Sequence, residues 1–262
     1  VNGNASSNTY VAWCWKAGTS YTPTVTGFTS PSASINTEAG FGIYTFTGNN
    51  VASSSFTHGL DSTPELIIAK NRTTASDWAV FGPTGSSSTP TATDTYLRLN
   101  EATDANKGGT QILTGNTSTT VSVNSFGETA GSDDYVYYLW HSVEGFSKFG
   151  QYAGHSNSHL DINGAFVYCG FKPRWVMIKA ITRAEPWMIF DSELNAHNPS
   201  NIHLRANETS TSTTYGEGID IVSNGFKVRA GASIGEAAND FLYMAFAEHP
   251  FGGENQPPAT AR

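Results

Sequence analysis

Two stretches of the sequence decide the fold. The first, HGLDSTPELIIAKNRTTASDWAVF, covers residues 58–81, and the second, CGFKPRWVMIKAITRAEPWMIF, covers residues 169–190. The residue pairs that match between them lie 109 positions apart (173 − 64 = 109), namely Pro64 with Pro173, Lys70 with Lys179, Trp78 with Trp187 and Phe81 with Phe190. In each stretch a short apolar run follows a proline, and a second run follows a polar turn, a pattern that predicts a β-hairpin.

Further blocks recur in the same order on both sides of these stretches. They are GFGIYTFTGN and GFSKFGQYAGH, YLRLN and HLRAN, NSF and NGF, and DYVYYLW and DFLYMAF. Recurring blocks at a nearly constant offset indicate an internal repeat. We therefore predict an N-terminal strand and connector (1–39), a first repeat (40–143), a second repeat (144–251) and a C-terminal tail (252–262).

The composition favours an all-β protein. Only 14% of the residues are charged, whereas 26 are glycine, and Ser, Thr and Asn are abundant. Such residues suit short strands that are joined by many turns, while good helix formers are scarce. The segment SNGFKVRA (223–230) alternates apolar and basic residues, as a half-buried strand does. We predict two tandem β-sandwich repeats of the jelly-roll type.

The N-terminal stretch TYVAWCW (9–15) looks like the closing strand of a further repeat. Such a strand needs a partner, either the first repeat or another subunit, and we favour closure within the chain. Residues 16–39 are rich in Ser, Thr and Pro, so we expect them to form an irregular or extended connection.

The repeated blocks resemble a known module. HGLDSTPELIIAKNR (58–72), YLRLN (96–100) and YVYYLWHSVEGFSKFG (135–150) are similar to a tandem module of tail-fibre and other virion proteins of bacteriophages, especially marine ones. The resemblance implies a structural protein on the virion tail or particle surface, a trimeric homo-oligomer and contacts with other virion proteins. Its motifs are strand cores and turns, so it assigns no catalytic residue.

The sequence offers little for catalysis. It contains no GxSxG nucleophile elbow, and no spacing singles out a pair of carboxylates for glycoside hydrolysis. We therefore expect a non-enzymatic protein without a cofactor. His155, His159 and Asp161 in GHSNSHLD could bind a metal ion through two imidazoles and a carboxylate. A solvated polar loop is the competing interpretation of that segment.

Aromatic residues are the remaining candidates for ligand contact, because exposed aromatic rings beside polar groups suit saccharides. Trp140 and Trp175 have no tryptophan at the matching position of the other repeat, and Arg174 adjoins Trp175. These three residues are the predicted ligand contacts, with a host surface glycan as a possible partner. A carbohydrate-binding module and a glycan depolymerase stay open as alternative functions.

The net charge of −8, with basic residues scattered singly, argues against nucleic acid as a partner. Apolar runs also fall short of the roughly 18 residues that a membrane span needs. We therefore expect a virion location, with neither nucleic acid binding nor a membrane span.

Overall fold

The structure is a computed structural model, and it describes most of the chain. The described residues are 10–85, 88–91, 96–105, 112–124, 131–155, 163–195, 197–209, 213–230 and 232–248. Within them the chain forms nineteen strands, all paired antiparallel, and a single helical turn, α1 (Ala232–Gly235). The predicted all-β class is confirmed. Among the same residues, no helix has the length and apolar character that a membrane span requires.

The first half of the chain builds a seven-stranded and a four-stranded sheet. Its strands are β1 (Thr19–Tyr21), β2 (Val25–Thr26), β3 (Phe28–Asn36), β4 (Phe41–Gly48), β5 (Ser54–Thr57), β6 (Leu66–Asn71), β7 (Trp78–Phe81), β8 (Leu97–Arg98), β9 (Leu113–Asn116), β10 (Thr120–Val123) and β11 (Asp134–Trp140). The large sheet runs β1-β3-β4-β11-β6-β7-β8, and the small sheet runs β2-β5-β10-β9. Their facing side chains form one buried core, in which Phe56 of the small sheet contacts Phe46 and Tyr137 of the large sheet.

The second half folds one long sheet over itself. Its strands are β12 (Ser147–Ala153), β13 (Phe166–Tyr168), β14 (Pro173–Ala180), β15 (Met188–Asp191), β16 (Ser200–Arg205), β17 (Thr213–Val222), β18 (Gly225–Ala230) and β19 (Asp240–Ala247). They run in the order β12-β19-β14-β15-β16-β17-β18-β13. The pairing of β16 with β17 is irregular between Ser200 and Ile202, and such irregularities let a sheet bend. Phe226 on β18 and Ile178 on β14 then meet in a common core.

The strand order is the same in the two large sheets. Strands β4-β11-β6-β7-β8 of the first half correspond to β12-β19-β14-β15-β16 of the second. The two predicted hairpins are confirmed as β6–β7 and β14–β15. The common order favours the division into two repeats, which stays a prediction.

Two hydrogen bonds recur at matching positions. The backbone N–H of Asp134 donates to the Thr73 hydroxyl over 3.1 Å, and that of Asp240 donates to Thr182 over the same distance. Likewise, the N–H groups of Trp78 and Trp187 each donate over 2.8 Å to an asparagine side chain, that of Asn100 and that of Asn207. In both halves a polar side chain therefore fixes the start of a central strand.

Residues 16–39 were expected to form an irregular or extended connection. They are largely extended, and three of their segments pair as the strands β1, β2 and β3. Strand β3 pairs with β4, burying Phe28, Ala33 and Ile35 while serine and threonine occupy the solvent face. An irregularity between Thr29 and Ser32 contains Pro31, a position at which a strand tolerates proline. Half-buried strands need apolar residues on one face only, so a Ser/Thr-rich stretch can form one.

The strand predicted at Thr9–Trp15 was wrong, because residues 10–18 lie outside any strand. We call these residues the N-terminal strap. The strap is held mainly by the side chains of Trp13 and Trp15, which pack between the two halves. The first strand of the chain, β1, begins only at Thr19.

His203 makes the stability of the second half depend on pH. Its ring is buried beside Phe190, with the ring centres 5.3 Å apart. Burial, assisted by nearby Arg205, lowers the pKa of His203 to about 4. The unfolded chain takes up this proton near pH 6.5 and the folded chain only near pH 4. Acid therefore favours unfolding across that window, by up to roughly 3 kcal/mol.

We expect His203→Tyr to remove this acid sensitivity. The change installs the residue that occupies the matching position of the first half, Tyr96, which packs on Phe81 in the same way. Urea unfolding at pH 7 and pH 4 measures the loss of stability, which should be about 2–3 kcal/mol smaller in the variant than in the wild type. His197→Tyr, at an exposed histidine, is the control. An equal loss in wild type and His203→Tyr would contradict the assignment.

Candidate functional site: the cleft between the two sandwiches

The two large sheets pack against each other through their outer faces. Strand β6 buries Ile67 and Ala69 in the first-half core, while Leu66 and Ile68 face the second half. Strand β14 does the same, with Val176 and Ile178 in its own core and Trp175 and Met177 at the junction. A strand that is buried on both faces reads as a continuous apolar run. The runs ELIIAK, WVMIKA and FLYMAF have this form, so the signal for the junction was present in the sequence.

All six tryptophans of the chain belong to this junction. They are Trp13, Trp15, Trp78, Trp140, Trp175 and Trp187. The ring of Trp15 meets Trp140, Trp175 and Phe246 edge-on, with centroid distances of 6.1, 5.8 and 5.4 Å. Edge-to-face pairs of this kind add stability beyond the area that they bury.

Hydrogen bonds and close contacts tie the two halves together. The N–H of Ala105 donates to the carbonyl of Ile181 over 2.8 Å, and the Trp187 indole N–H donates to the carbonyl of Arg98 over 2.8 Å. At Gly82, a Cβ atom would come within 2.7 Å of Leu242 in the second half. Glycine therefore lets the two halves approach closely at this crossing, and a larger residue would displace the end of the Leu242 side chain.

Two adjoining cavities open in the junction beneath the strap. Their volumes are about 460 and 350 Å³. Trp13, Trp15, Phe41 and Trp175 line both of them. The larger cavity adds polar groups from Lys16, Asn36, Arg174 and Asp191, whereas the lining of the smaller one is almost wholly apolar.

One hydrogen bond fixes the strap beside the larger cavity. The Trp13 indole N–H donates to a carboxylate oxygen of Asp191 over 2.9 Å. The buried indole nitrogens of Trp140 and Trp175, by contrast, have no hydrogen-bond partner among the described residues. A buried donor without a partner costs about 1–3 kcal/mol. The packing of the junction offsets this cost.

The structure brings the three predicted ligand contacts to this cleft, but it does not expose the two tryptophans. Arg174 and Trp175 line the larger cavity, and Trp140 and Trp175 line the smaller one. Trp140 and Trp175 are each only 5% exposed, so the expectation that Trp175 forms an open contact surface was wrong. The strap covers that tryptophan. The Arg174 side chain is 41% exposed and pairs with Glu193 over 3.1 Å.

Trp13 and Trp15 were not identified from the sequence as residues that line the cleft and cover Trp175. The stretch AWCW contains the signal, because tryptophans two residues apart can reach the same neighbour. Both of them contact Trp175, at centroid distances of 6.0 and 5.8 Å.

The predicted metal site falls largely outside the described residues. His155 is described, while His159 and Asp161 are not. Within the described part of the chain, no group of three or more His, Cys, Asp or Glu side chains is arranged to hold a metal ion. The metal site at these residues stays a prediction.

Together, the fold and the cleft define an all-β protein of two sandwich-like halves that are joined back to back. The chain belongs to the family described as Domain of unknown function (DUF7483), whose family model matches residues 1–250. No curated protein and no solved structure shows significant similarity to the chain.

The strap should contribute measurably to stability. We expect Trp15→Ala to lower the free energy of unfolding by about 2 kcal/mol, because the variant loses half-buried contacts with three aromatic rings. Urea unfolding followed by far-ultraviolet circular dichroism measures the change without relying on tryptophan emission. Val11→Ala, at a 50% exposed position of the same strap, should cost less than about 0.5 kcal/mol. Equal costs for the two variants would contradict a docked strap.

Proposed function

We propose that this chain is a non-enzymatic structural module of a bacteriophage virion, in a tail fibre or on the particle surface, where it serves host attachment or virion assembly. The resemblance of its repeated blocks to virion modules supplies the setting. The observation that carries the proposal is the junction, in which two sheets and a strap pack into one body through all six tryptophans. A rigid block of this kind suits a component that transmits load and presents its outer surfaces to neighbours.

The hydrogen bonds of the carboxylates also support a structural role. The Asn71 side-chain amide donates to Asp133 over 2.7 Å, and the Thr47 hydroxyl donates to Asp134 over 2.6 Å. Hydrogen bonds from Asn71 and Thr74 hold the pKa of the Asp133 carboxyl below its usual value. The Asp133 carboxyl is thereby stabilised in its ionised form. Both carboxylates lie at strand ends, where their hydrogen bonds fix the turns. A general acid for glycoside hydrolysis needs the opposite, a raised pKa.

The Asp191 carboxylate likewise accepts hydrogen bonds that hold the fold together. It accepts the Trp13 indole N–H and the backbone N–H of Glu193 over 2.9 and 3.0 Å. Glu193 itself pairs with Arg174. The acidic groups beside the cleft therefore hold the strap and the turn after β15, a role that fits a scaffold.

Within a particle, we propose that the chain forms a homo-oligomer, a trimer in a fibre, and contacts other virion proteins. Strand edges and outward sheet faces are the surfaces that such contacts use. A virion location follows from the same proposal.

Immunogold electron microscopy of purified particles tests the proposal. An antibody raised against the folded chain should label a fixed position on the tail or particle surface. An antibody to the major capsid protein is the positive control for particle integrity, and preimmune serum is the negative control. Intact particles that bind the capsid antibody but not the antibody to this chain would refute the virion assignment.

A further inference from the structure

Strand β13 carries two exposed aromatic residues on one face. Phe166 is 52% exposed and Tyr168 is 64% exposed, while Val167 between them is buried. Alternate residues of a strand point to opposite faces, so both rings lie on the outside of the second half. Their Cα atoms are about 7 Å apart, which is the rise of two residues in a strand. They form a small aromatic surface at the edge of the three-stranded segment β17-β18-β13.

Polar groups flank this surface across the sheet. In the strand register, Phe166 lies opposite Lys227, which lies opposite Asp220. Directly opposed residues share a face, so these three side chains form a row on the outside. Tyr168 lies opposite Gly225, which contributes no side chain to the row. We call the surface of Phe166, Tyr168 and Lys227 the aromatic face.

The basic side chains beside the aromatic face are each hydrogen-bonded, and one of them is in an ion pair. The Lys227 ammonium donates to the Asn163 side-chain oxygen over 2.8 Å, and Arg229 pairs with Asp220 over 2.9 Å. A polyanion requires a cluster of unpaired cationic groups, whereas Lys227 is a single cation that is hydrogen-bonded to a neutral amide. Two aromatic rings beside balanced polar groups favour a neutral partner that presents both apolar and hydrogen-bonding surface.

The matching strand of the first half lacks this surface. Gly59 after β5 and Gly170 after β13 both adopt positive φ, of 67° and 83°, which fixes the alignment of the two strands. Phe166 and Tyr168, four and two residues before Gly170, then correspond to Ser55 and Thr57 before Gly59. If the two aromatic rings were needed for the fold that the halves share, aromatic residues would be expected at positions 55 and 57 as well. The aromatic pair is therefore an addition to the scaffold of one half, as a binding site is.

We infer that the aromatic face binds a neutral saccharide chain of the host surface, an inference that deepens the attachment role proposed above and rests on it. A pyranose ring has an apolar face of C–H groups and a rim of hydroxyls. The C–H faces of two successive sugar units stack on the two aromatic rings. The sugar hydroxyls accept hydrogen bonds from the Lys227 ammonium and exchange them with the Tyr168 hydroxyl. Tyrosine suits such a contact because it joins an apolar ring to a polar end.

The test begins with an array of neutral and acidic glycans probed with the full chain, followed by titration calorimetry with the best neutral glycan. Phe166→Ser combined with Tyr168→Thr transplants the residues of the first half. We expect this pair to raise the Kd at least tenfold. Tyr168→Phe, which keeps the ring, should raise the Kd less than about threefold. Tyr10→Thr, at another exposed tyrosine, should leave the Kd unchanged. Circular dichroism establishes that each variant is folded.

Two outcomes overturn the inference. One is the absence of glycan binding, or equal binding by the wild type and the double variant. The other is self-association that the double variant abolishes, seen in sedimentation velocity, because it would make the aromatic face a contact between copies of the chain. Either result leaves the immunogold assignment unaffected, so the failures of the two proposals can be told apart.

Discussion

The structure depends on the burial of the central strands on both faces. In strands β6, β11, β14 and β19, one face supplies the core of its own half and the other face supplies the junction. Apolar surface that is left on the outside of either sheet would be costly in water, at roughly 25 cal/mol per Å². Each half therefore covers the exposed sheet of the other. The packing of the two halves against each other completes the burial of both central sheets at once.

The strap illustrates how one motif can change its structural role. TYVAWCW (9–15) resembles the closing strands β11 and β19 in sequence. Its described residues, 10–15, nevertheless pack by side chains instead of joining a sheet. Both large sheets already have their central closing strand, so no ladder position is open for a third copy between them. The two indole rings nevertheless find an apolar cleft. The similarity of this segment to β11 and β19 therefore extends to the burial of its aromatic side chains but not to strand pairing.

Local patterns in the sequence were enough to predict the all-β class and the two hairpins. Proline before an apolar run and a polar turn after it are short-range signals, and β6–β7 and β14–β15 confirm them. Strand β3 was missed because its apolar residues are spaced among serines, and its pairing with β4 decides its structure. The burial of Trp175 was missed for a similar reason. Its cover comes from Trp13 and Trp15, about 160 residues away in the chain.

The exposure of the aromatic pair on β13 could not be predicted from the alternation of apolar and polar residues. In FVY (166–168) every residue is apolar or aromatic, so alternation cannot tell the inner face from the outer one. The comparison with SFT (55–57) supplies the missing information. The middle residue of each triplet, Phe56 or Val167, is apolar and faces the core, while the flanking residues are polar in SFT and aromatic in FVY. Two halves with the same strand order can in this way be compared position by position.

The concentration of every tryptophan at the junction has a spectroscopic consequence. Intrinsic tryptophan emission of this protein reports on the junction, while circular dichroism in the far ultraviolet reports on both sandwiches together. Unfolding curves from the two signals coincide if the halves separate and melt as one cooperative unit. They diverge if the junction opens first. The natural chain therefore contains a built-in reporter for the coupling between its two halves, without any label.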